Sequence, residues 1–422
     1  MALPKKLQKL ASNAFFLYIS FGANLLLPLL VLPHLAASLG KEAFGSYVFV
    51  TAVTYFFSLL VTFGFNLTAT ASIAKVQQDK ARLSTIFGQV QAAKLLLLFI
   101  AAIAYLLLCG LPVFEEESGH LLLGFGWVIG YALYAEWFFL GIEKMFIITA
   151  INLLSKIVFA AGIVLTITQP DDLDKSLLWL SASMLIPGVL SVLIALIQYV
   201  HIKQLQWHTK AIRREIRMGL PVFLSQSAAY CYSTLNVVAI KLFLDGKTTG
   251  HFGIVEKLIV IINSIFVPLN MAIYPWMSRL YVKDAHRFVV IIQRFVLCYV
   301  IMAAALSAIM YGLANPLSMF FVGYIDAQLV HFIHWGTLAA TTLPIVSFLA
   351  GVYTLSGNQS LLLKIFAAIA LFNCLLLYPT IQYYRGTGVV LLTGINYLLI
   401  GVSAYALWPK PSGNTQPSLP AG

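Results

Sequence analysis

Charge is what this chain has least of. Of its 422 residues, 10% are Asp, Glu, Lys or Arg, while 60% are hydrophobic. A soluble globular chain carries about 25% charged residues. The deficit excludes a soluble enzyme of this length. Long loops are missing too: none exceeds about 20 residues, so neither face has room for a folded soluble domain. Cysteines are few, and Cys109, Cys231, Cys298 and Cys374 show no Cys-x-x-Cys spacing. They read as buried free thiols acting as small apolar groups. No phosphate loop, zinc pattern or nucleophile elbow is present. His331 and His334 stand three apart but lack a third ligand. Glu115, Glu116 and Glu117 read as a solvated loop rather than a catalytic pair. The sequence therefore offers no catalytic residue, no metal site and no cofactor.

What is there is a series of about twelve apolar stretches of roughly 20 residues, each long enough to cross a ~30 Å hydrocarbon core. The first six run from Asn13 to Val200 and the second six from Met218 to Trp408. The loops between them alternate. Lys5, Lys6 and Lys9, then Lys75, Lys80 and Arg82, then Lys203, Lys210, Arg213, Arg214 and Arg217, then Arg279, Lys283 and Arg287 form a basic set. The intervening loops carry Glu115–Glu117, Asp171, Asp172 and Asp174, then Asp245, then Asp326. Basic loops stay in the cytoplasm, so an even number of spans places both termini there. The net charge of +11 is explained by those loops, which orient helices and meet anionic lipid, without a nucleic-acid partner. No small-residue cleavage site follows the first apolar run, which reads as an uncleaved span.

The fold expected is an all-α polytopic membrane protein of about 12 transmembrane helices. The longest basic linker, 201–217, divides it into two six-helix halves, residues 1–205 and 206–408. The Pro/Gly-rich tail, 409–422, reads as disordered and cytoplasmic. A weak internal repeat agrees with two halves. Gly45 matches Gly250, Asp79 matches Asp284 and Arg82 matches Arg287, all at an offset of about 205 residues; parallel repeats of this kind occur in secondary transporters. Prolines interrupt many spans. They read either as packing kinks or as hinges, and Pro28, Pro33, Pro268 and Pro275 are the hinge candidates.

Charges inside the spans stand out against this pattern, because each costs a few kcal/mol at mid-bilayer and usually faces a bundle interior or a wet cavity. Lys156 lies roughly 11 residues into the fifth span, about 17 Å deep. Glu136 sits about one turn inside the fourth span and could pair with it if the helices pack. Glu256 and Lys257 are adjacent, so they point about 100° apart and cannot both face one direction. Lys94 and Arg294 are about two turns in from the cytoplasmic end. Lys241 and Lys364 are close enough to a span end to snorkel. Asn24 on the first span, and Gln226, Tyr230, Tyr232 and Asn236 on the seventh, fit either interhelical hydrogen bonding or a cavity wall for sugar hydroxyls.

Three segments resemble the bacterial polysaccharide flippases of the O-antigen type. They are Asn24 to Pro33, then Leu39-Gly40 with Phe44-Gly45-Ser46-Tyr47, then Gly64 to Thr70, in which Gly64-Phe65-Asn66 is the most specific part. Tyr274-Pro275 with Ser278-Arg279-Leu280 is similar to that family's eighth-span ending. Where the family has basic residues after Ala-Thr, this chain has Ala71 and Ser72, and its first cation is Lys75. The resemblance implies two six-helix lobes around a central, often cationic cavity in the bacterial inner membrane. It also implies transfer of an undecaprenyl-pyrophosphate-linked oligosaccharide from the cytoplasmic to the periplasmic leaflet, with membrane lipids and the polymerase and chain-length regulator of the same pathway as partners. Lys156, Lys257, Lys94, Arg294, Asn24 and Asn236 are then substrate-contact candidates, and Glu136 and Glu256 are candidates for coupling or charge balance. Two rivals remain: a multidrug/toxin cation antiporter of the same superfamily, whose cavity should be net acidic, and an intramembrane O-antigen polymerase or ligase, which usually carries a sizeable periplasmic loop.

Overall fold

The computed structural model describes residues 5–205 and 208–408; the tail 409–422 lies outside it, as do the side chains of residues 5–21, 23–26, 29, 203, 275, 282, 285 and 286. The described residues hold helices and turns and no strand. This is what a bilayer demands, since a helix satisfies its own backbone groups. Nine stretches among the described residues are long and apolar enough to cross a membrane.

Two of those stretches hold parts of two passes each. The helix Lys5–Thr62 has 58 residues and would be about 87 Å long if straight, far more than one crossing needs. It breaks at Gly40, whose φ of 71° only glycine adopts without strain. The helix Gln359–Leu407 breaks likewise at Arg385, with φ 52°. The next residue must be glycine: a Cβ on Gly386 would lie 2.5 Å from the Phe332 ring. A further pass, Thr209–Tyr232, is missing from the nine because Lys210, Arg213, Arg214, Glu215 and Arg217 fill its first turns. Twelve passes result.

Within the passes the helices break at unexpected places. The second bends at Phe63 and Gly64, both left-handed, and resumes as Phe65–Ala74. The fourth runs Ser118–Leu133, breaks at Tyr134 and Ala135, and resumes as Glu136–Gly141. The seventh breaks after Tyr232 and resumes as Leu235–Phe243. None of these sites holds a proline, whereas the helices run through Pro28, Pro33, Pro268 and Pro275 without interruption. The third, fifth and sixth passes are Lys80–Cys109, Met145–Thr166 and Leu173–Gln198; the eighth to tenth are Gly246–Lys283, Ala285–Gly312 and Ala327–Leu355. A short helix, Ala314–Val322, occupies what reads in sequence as the loop before the tenth. Of the four free thiols, Cys109 and Cys231 are half-buried but Cys298 and Cys374 are exposed, contrary to a uniformly buried set.

The chain forms two compact units, residues 1–227 and 228–422. The division falls inside the helix Thr209–Tyr232 rather than in the basic linker before it. In the first unit the fourth and sixth passes meet at glycines. A Cβ on Gly188 would lie 2.5 Å from the Gly130 carbonyl oxygen, and one on Gly130 would run into the Met184 backbone. Small residues let helix backbones approach this closely, and van der Waals packing replaces the hydrophobic effect that lipid cannot supply.

On the acidic-loop side each unit pins its helix ends with a carboxylate. In the first, Ser46 donates to Glu117 at 2.6 Å, and His120 sits 2.9 Å from the other Glu117 oxygen and 3.6 Å from Asp174. The acidic run is therefore not uniformly solvated; its last residue, Glu117, is a joint. In the second, Asp326 caps the tenth helix by accepting from the Gln328 and Leu329 amides, and it also binds Lys247 at 2.9 Å.

Burial alone would raise the Asp326 pKa. The Lys247 ammonium, the His251 ring 4.0 Å away and the Leu329 amide outweigh burial and hold the carboxyl below its usual value. A depressed folded value means that the stabilisation is fully present above the unfolded pKa of about 4 and drains away as pH falls through the lower folded one. Acidification from about pH 5 to pH 2 should therefore lower the melting temperature of the wild type in detergent more than that of Asp326→Asn. Equal falls would show that the joint carries no such linkage.

Candidate functional site

The polar groups inside the first unit gather where the fourth pass breaks. A broken helix in lipid must find partners for the backbone groups it releases. Lys94 on the third pass donates to the Tyr134 carbonyl at 2.6 Å, and Gln91, one turn earlier, donates to the Ala132 carbonyl at 2.8 Å. The Ala135 amide donates to Ser191 Oγ on the sixth pass at 3.0 Å. The Tyr134 hydroxyl reaches Asn152 on the fifth at 2.8 Å. Three neighbouring passes thus hold the break in the fourth open.

Below the break two half-helices lie side by side. Asn66 Nδ2 donates to Glu136 at 3.3 Å, Thr70 Oγ1 to the Trp137 carbonyl at 3.1 Å, and Gln77 Nε2 to the Gly141 carbonyl at 2.8 Å. These bonds join Phe65–Ala74 and the turn after it to Glu136–Gly141. Gly64-Phe65-Asn66, the most specific sequence motif, is thus a helix break followed by the amide that meets Glu136.

Lys94 is 1% exposed, so its ammonium does not line an opening. The apparent depth of two turns followed from starting the third pass near Thr85. Asp79 caps a helix that starts at Lys80, which puts Lys94 about 21 Å along it. Lys94, held at the Tyr134 carbonyl two residues before Glu136, is the cation in its neighbourhood; among the described residues Glu136 makes no ion pair with Lys156. Lys156 stands half-buried on Met145–Thr166, one turn beyond Asn152, and among the described residues it makes no ion pair or hydrogen bond.

In the second unit the break in the seventh pass is satisfied by amides. Asn373 donates to the Cys231 carbonyl at 2.7 Å and to Asn236 Oδ1 at 2.9 Å; Asn396 donates to Asn373 at 2.6 Å, and Asn236 to Thr393 at 2.9 Å. Asn236, Asn373 and Asn396 are all 0% exposed. Asn236 is thus engaged in joining the seventh, eleventh and twelfth passes. Thr234, at the break itself, donates to Glu256 at 3.3 Å. Glu256 therefore turns into the unit, while its neighbour Lys257 is exposed. Arg294 is exposed on the ninth pass, as is Gln226 on the seventh; Tyr230 and Tyr232 are buried. The Asn24 side chain lies outside the described residues.

The structure brings Lys94, Glu136 and Asn66 together, and likewise Glu256 with the Asn236 break. Lys156, Lys257 and Arg294 are each left without a counter-ion among the described residues. Sequence reading missed Gln91, Asn373 and Asn396, and singled out Asn66 only as part of the Gly64-Phe65-Asn66 motif. Their signal was an amide in the middle of an apolar run, a pattern expected at an interhelical hydrogen bond.

Comparison with known proteins agrees with this architecture. The profile of a family described as "Polysaccharide biosynthesis protein" matches residues 10–281. The "Putative O-antigen transporter" of Escherichia coli (strain K12) is 30% identical over 394 residues, covering 90% of this chain and 92% of that protein. The protein of the same description from Shigella dysenteriae is 25% identical, covering 90% of this chain and 95% of its own. Among solved structures, an inward-facing multidrug resistance MATE family transporter of the MOP superfamily superposes with a TM-score of 0.69 at 12% identity, covering 93% of each chain. The lipid II flippase MurJ in an inward closed conformation superposes at 0.70 and 14% identity, over 94% of this chain and 87% of the other. At such identities the superpositions speak for the fold alone.

Proposed function

Because this multi-pass membrane protein belongs to the polysaccharide biosynthesis protein family, we propose that it is a flippase for lipid-linked polysaccharide units. In this reading it moves an undecaprenyl-pyrophosphate-linked O-antigen unit from the cytoplasmic to the periplasmic leaflet of a bacterial inner membrane by alternating access, with both termini cytoplasmic. The two O-antigen transporter relatives support the substrate class. The observation that carries the chemistry is Lys156, a cation near mid-depth with no counter-ion among the described residues. An unpaired intramembrane charge needs a reason to be there, and a lipid pyrophosphate passing through supplies the opposite charge. Lys257 and Arg294, exposed on their own unit, fit the same role. Asn236 and Lys94 serve as supports for helix breaks in this scheme.

A cation antiporter is the rival that the same fold admits. Its substrate would be repelled by Lys156, Lys257 and Arg294. One experiment separates the two. A strain lacking its own O-antigen flippase is complemented with this chain, and both surface polysaccharide and tolerance to cationic dyes are measured. Restored polysaccharide with unchanged dye tolerance is expected. Raised tolerance without polysaccharide, from protein present in the membrane, would overturn the proposal.

A further inference from the structure

The group left over by this reading is Glu136. It is half-buried, so protons can reach it, whereas Lys94 beside it is enclosed. We propose that Glu136 is a proton-binding site whose loading loosens the Asn66 end of the joint between Phe65–Ala74 and Glu136–Gly141, with Lys94 as its positioning residue. The step is a simple protonation: the carboxylate takes one proton from hydronium, which leaves as water, and no other covalent bond forms or breaks.

The chemistry of the surroundings selects a proton over a metal cation. Calcium or magnesium would need about six oxygen ligands, and no cluster of three His, Cys, Asp or Glu side chains exists among the described residues. The Lys94 ammonium would also repel a metal ion, yet it tolerates a proton on the neighbouring carboxyl. With Glu136 ionised the pair is neutral; with Glu136 protonated it carries one positive charge. Lys94 keeps its acceptor, the Tyr134 carbonyl, in either state. Asn66 keeps a weaker one. Its Nδ2 donates to Glu136 Oε2; with the proton on Oε1 that oxygen becomes a neutral carbonyl and the bond loses its charge assistance. The Thr70 and Gln77 bonds further along end on backbone carbonyls and do not titrate. The joint would therefore loosen at the Asn66 end while staying held at the Gln77 end.

Other groups around Glu136 do not compete for the role. Tyr131 and Tyr134 on the fourth pass interact with it electrostatically, and Tyr55 on the second acts on Tyr131; phenols stay neutral near pH 7. Asn66, Asn152 and Ser191, from the second, fifth and sixth passes, carry no charge. Glu143 and Lys144 are exposed beyond Gly141.

The test uses Trp137, next to Glu136 and 0% exposed, as a reporter. The purified full chain, in vesicles of phosphatidylethanolamine and phosphatidylglycerol, is titrated by tryptophan fluorescence from pH 5 to 9. A sigmoidal change is expected that vanishes in both Trp137→Phe and Glu136→Gln and persists with a moved midpoint in Glu136→Asp. It should move by more than one pH unit in Lys94→Gln, since a nearby opposite charge shifts a carboxyl by about 1–3 units. Glu136→Asp keeps the test decisive if the glutamine variant fails to fold. A transition unchanged in Glu136→Gln overturns the proposal, as does one that Glu256→Gln removes instead. Coupling to transport rests on the flippase reading and is measured separately, as surface polysaccharide in the complemented strain at pH 6 and pH 8. Display that depends on pH in the wild type, and is at least tenfold lower and independent of pH in Glu136→Gln, is expected. If the wild type restores no polysaccharide at all, the flippase reading fails while the titration still decides the proton site.

Discussion

Gly130→Ala and Gly188→Ala should each leave little folded protein in the membrane. The added carbon on Gly188 would stand 2.5 Å from the Gly130 carbonyl oxygen, and the one on Gly130 would overlap the Met184 backbone. Neither obstacle is the movable tip of a side chain. The fourth and sixth passes would have to separate along their length, breaking the Ser181 bond to the Leu123 carbonyl and the Ser191 bond to the Ala135 amide. Overpacking of a close interface costs about 1–3 kcal/mol, and the two lost hydrogen bonds add about 1 kcal/mol each. Membrane proteins lack a hydrophobic term between helices to make this up. Gly119→Ala is the control. It lies on the same helix with open space where its Cβ would stand, so it should be silent. Size-exclusion profiles and melting temperatures in detergent read the difference. Melting curves for Gly130→Ala that match Gly119→Ala would show that the passes do not pack as closely as described.

The second large effect is expected on transport. Lys156→Ala and Lys257→Ala should each lower surface polysaccharide about tenfold, and together about a hundredfold. Each factor of ten corresponds to about 1.4 kcal/mol of lost interaction with an anion, a modest value for a charge-assisted hydrogen bond. Neither change should unsettle the fold, because Lys156 has no protein counter-ion among the described residues and Lys257 is exposed. The arginine variants keep the charge and should retain most of the activity. Normal display by the double alanine variant at wild-type abundance would remove both lysines from the substrate path. Lys94→Ala differs in kind: it strips the Tyr134 carbonyl of its donor and should lower stability as well as transport.

How far the chain could be read before its structure was known follows from which forces act locally. The twelve passes were legible because bilayer thickness is a length that apolar runs must match. Reversal at Gly40 was legible because glycine tolerates the left-handed conformation. The interior breaks were not. Tyr134 and Ser233 carry no local signal, and the side chains that stabilise these two breaks come from far away in sequence: Lys94 is 40 residues from Tyr134 and Asn373 is 142 from Cys231. Prolines drew attention instead, yet lipid-buried helices absorb a proline through neighbouring groups. The helix that carries Lys156 starts at Met145, where the sequence suggests. The helix that carries Lys94 starts earlier than the apolar run, at Lys80, because Asp79 caps it there. The partner of Glu136 depends on which helices pack, and that is a property of the whole unit.

The seventh pass carries a lesson about modularity. Its first residues, Thr209 to Ser227, belong to the first unit. There Phe223 stacks on Phe63 at 4.5 Å, and Val222 fills the space that any side chain on Gly64 would need. A gene split at the loop near residue 205, where the charge pattern invites a cut, would therefore yield an N-terminal fragment with its left-handed break uncovered. The repeat of the sequence and the folding unit end at different residues. A duplicated ancestor of six passes would have needed a substitute for this borrowed half-helix before it could stand alone.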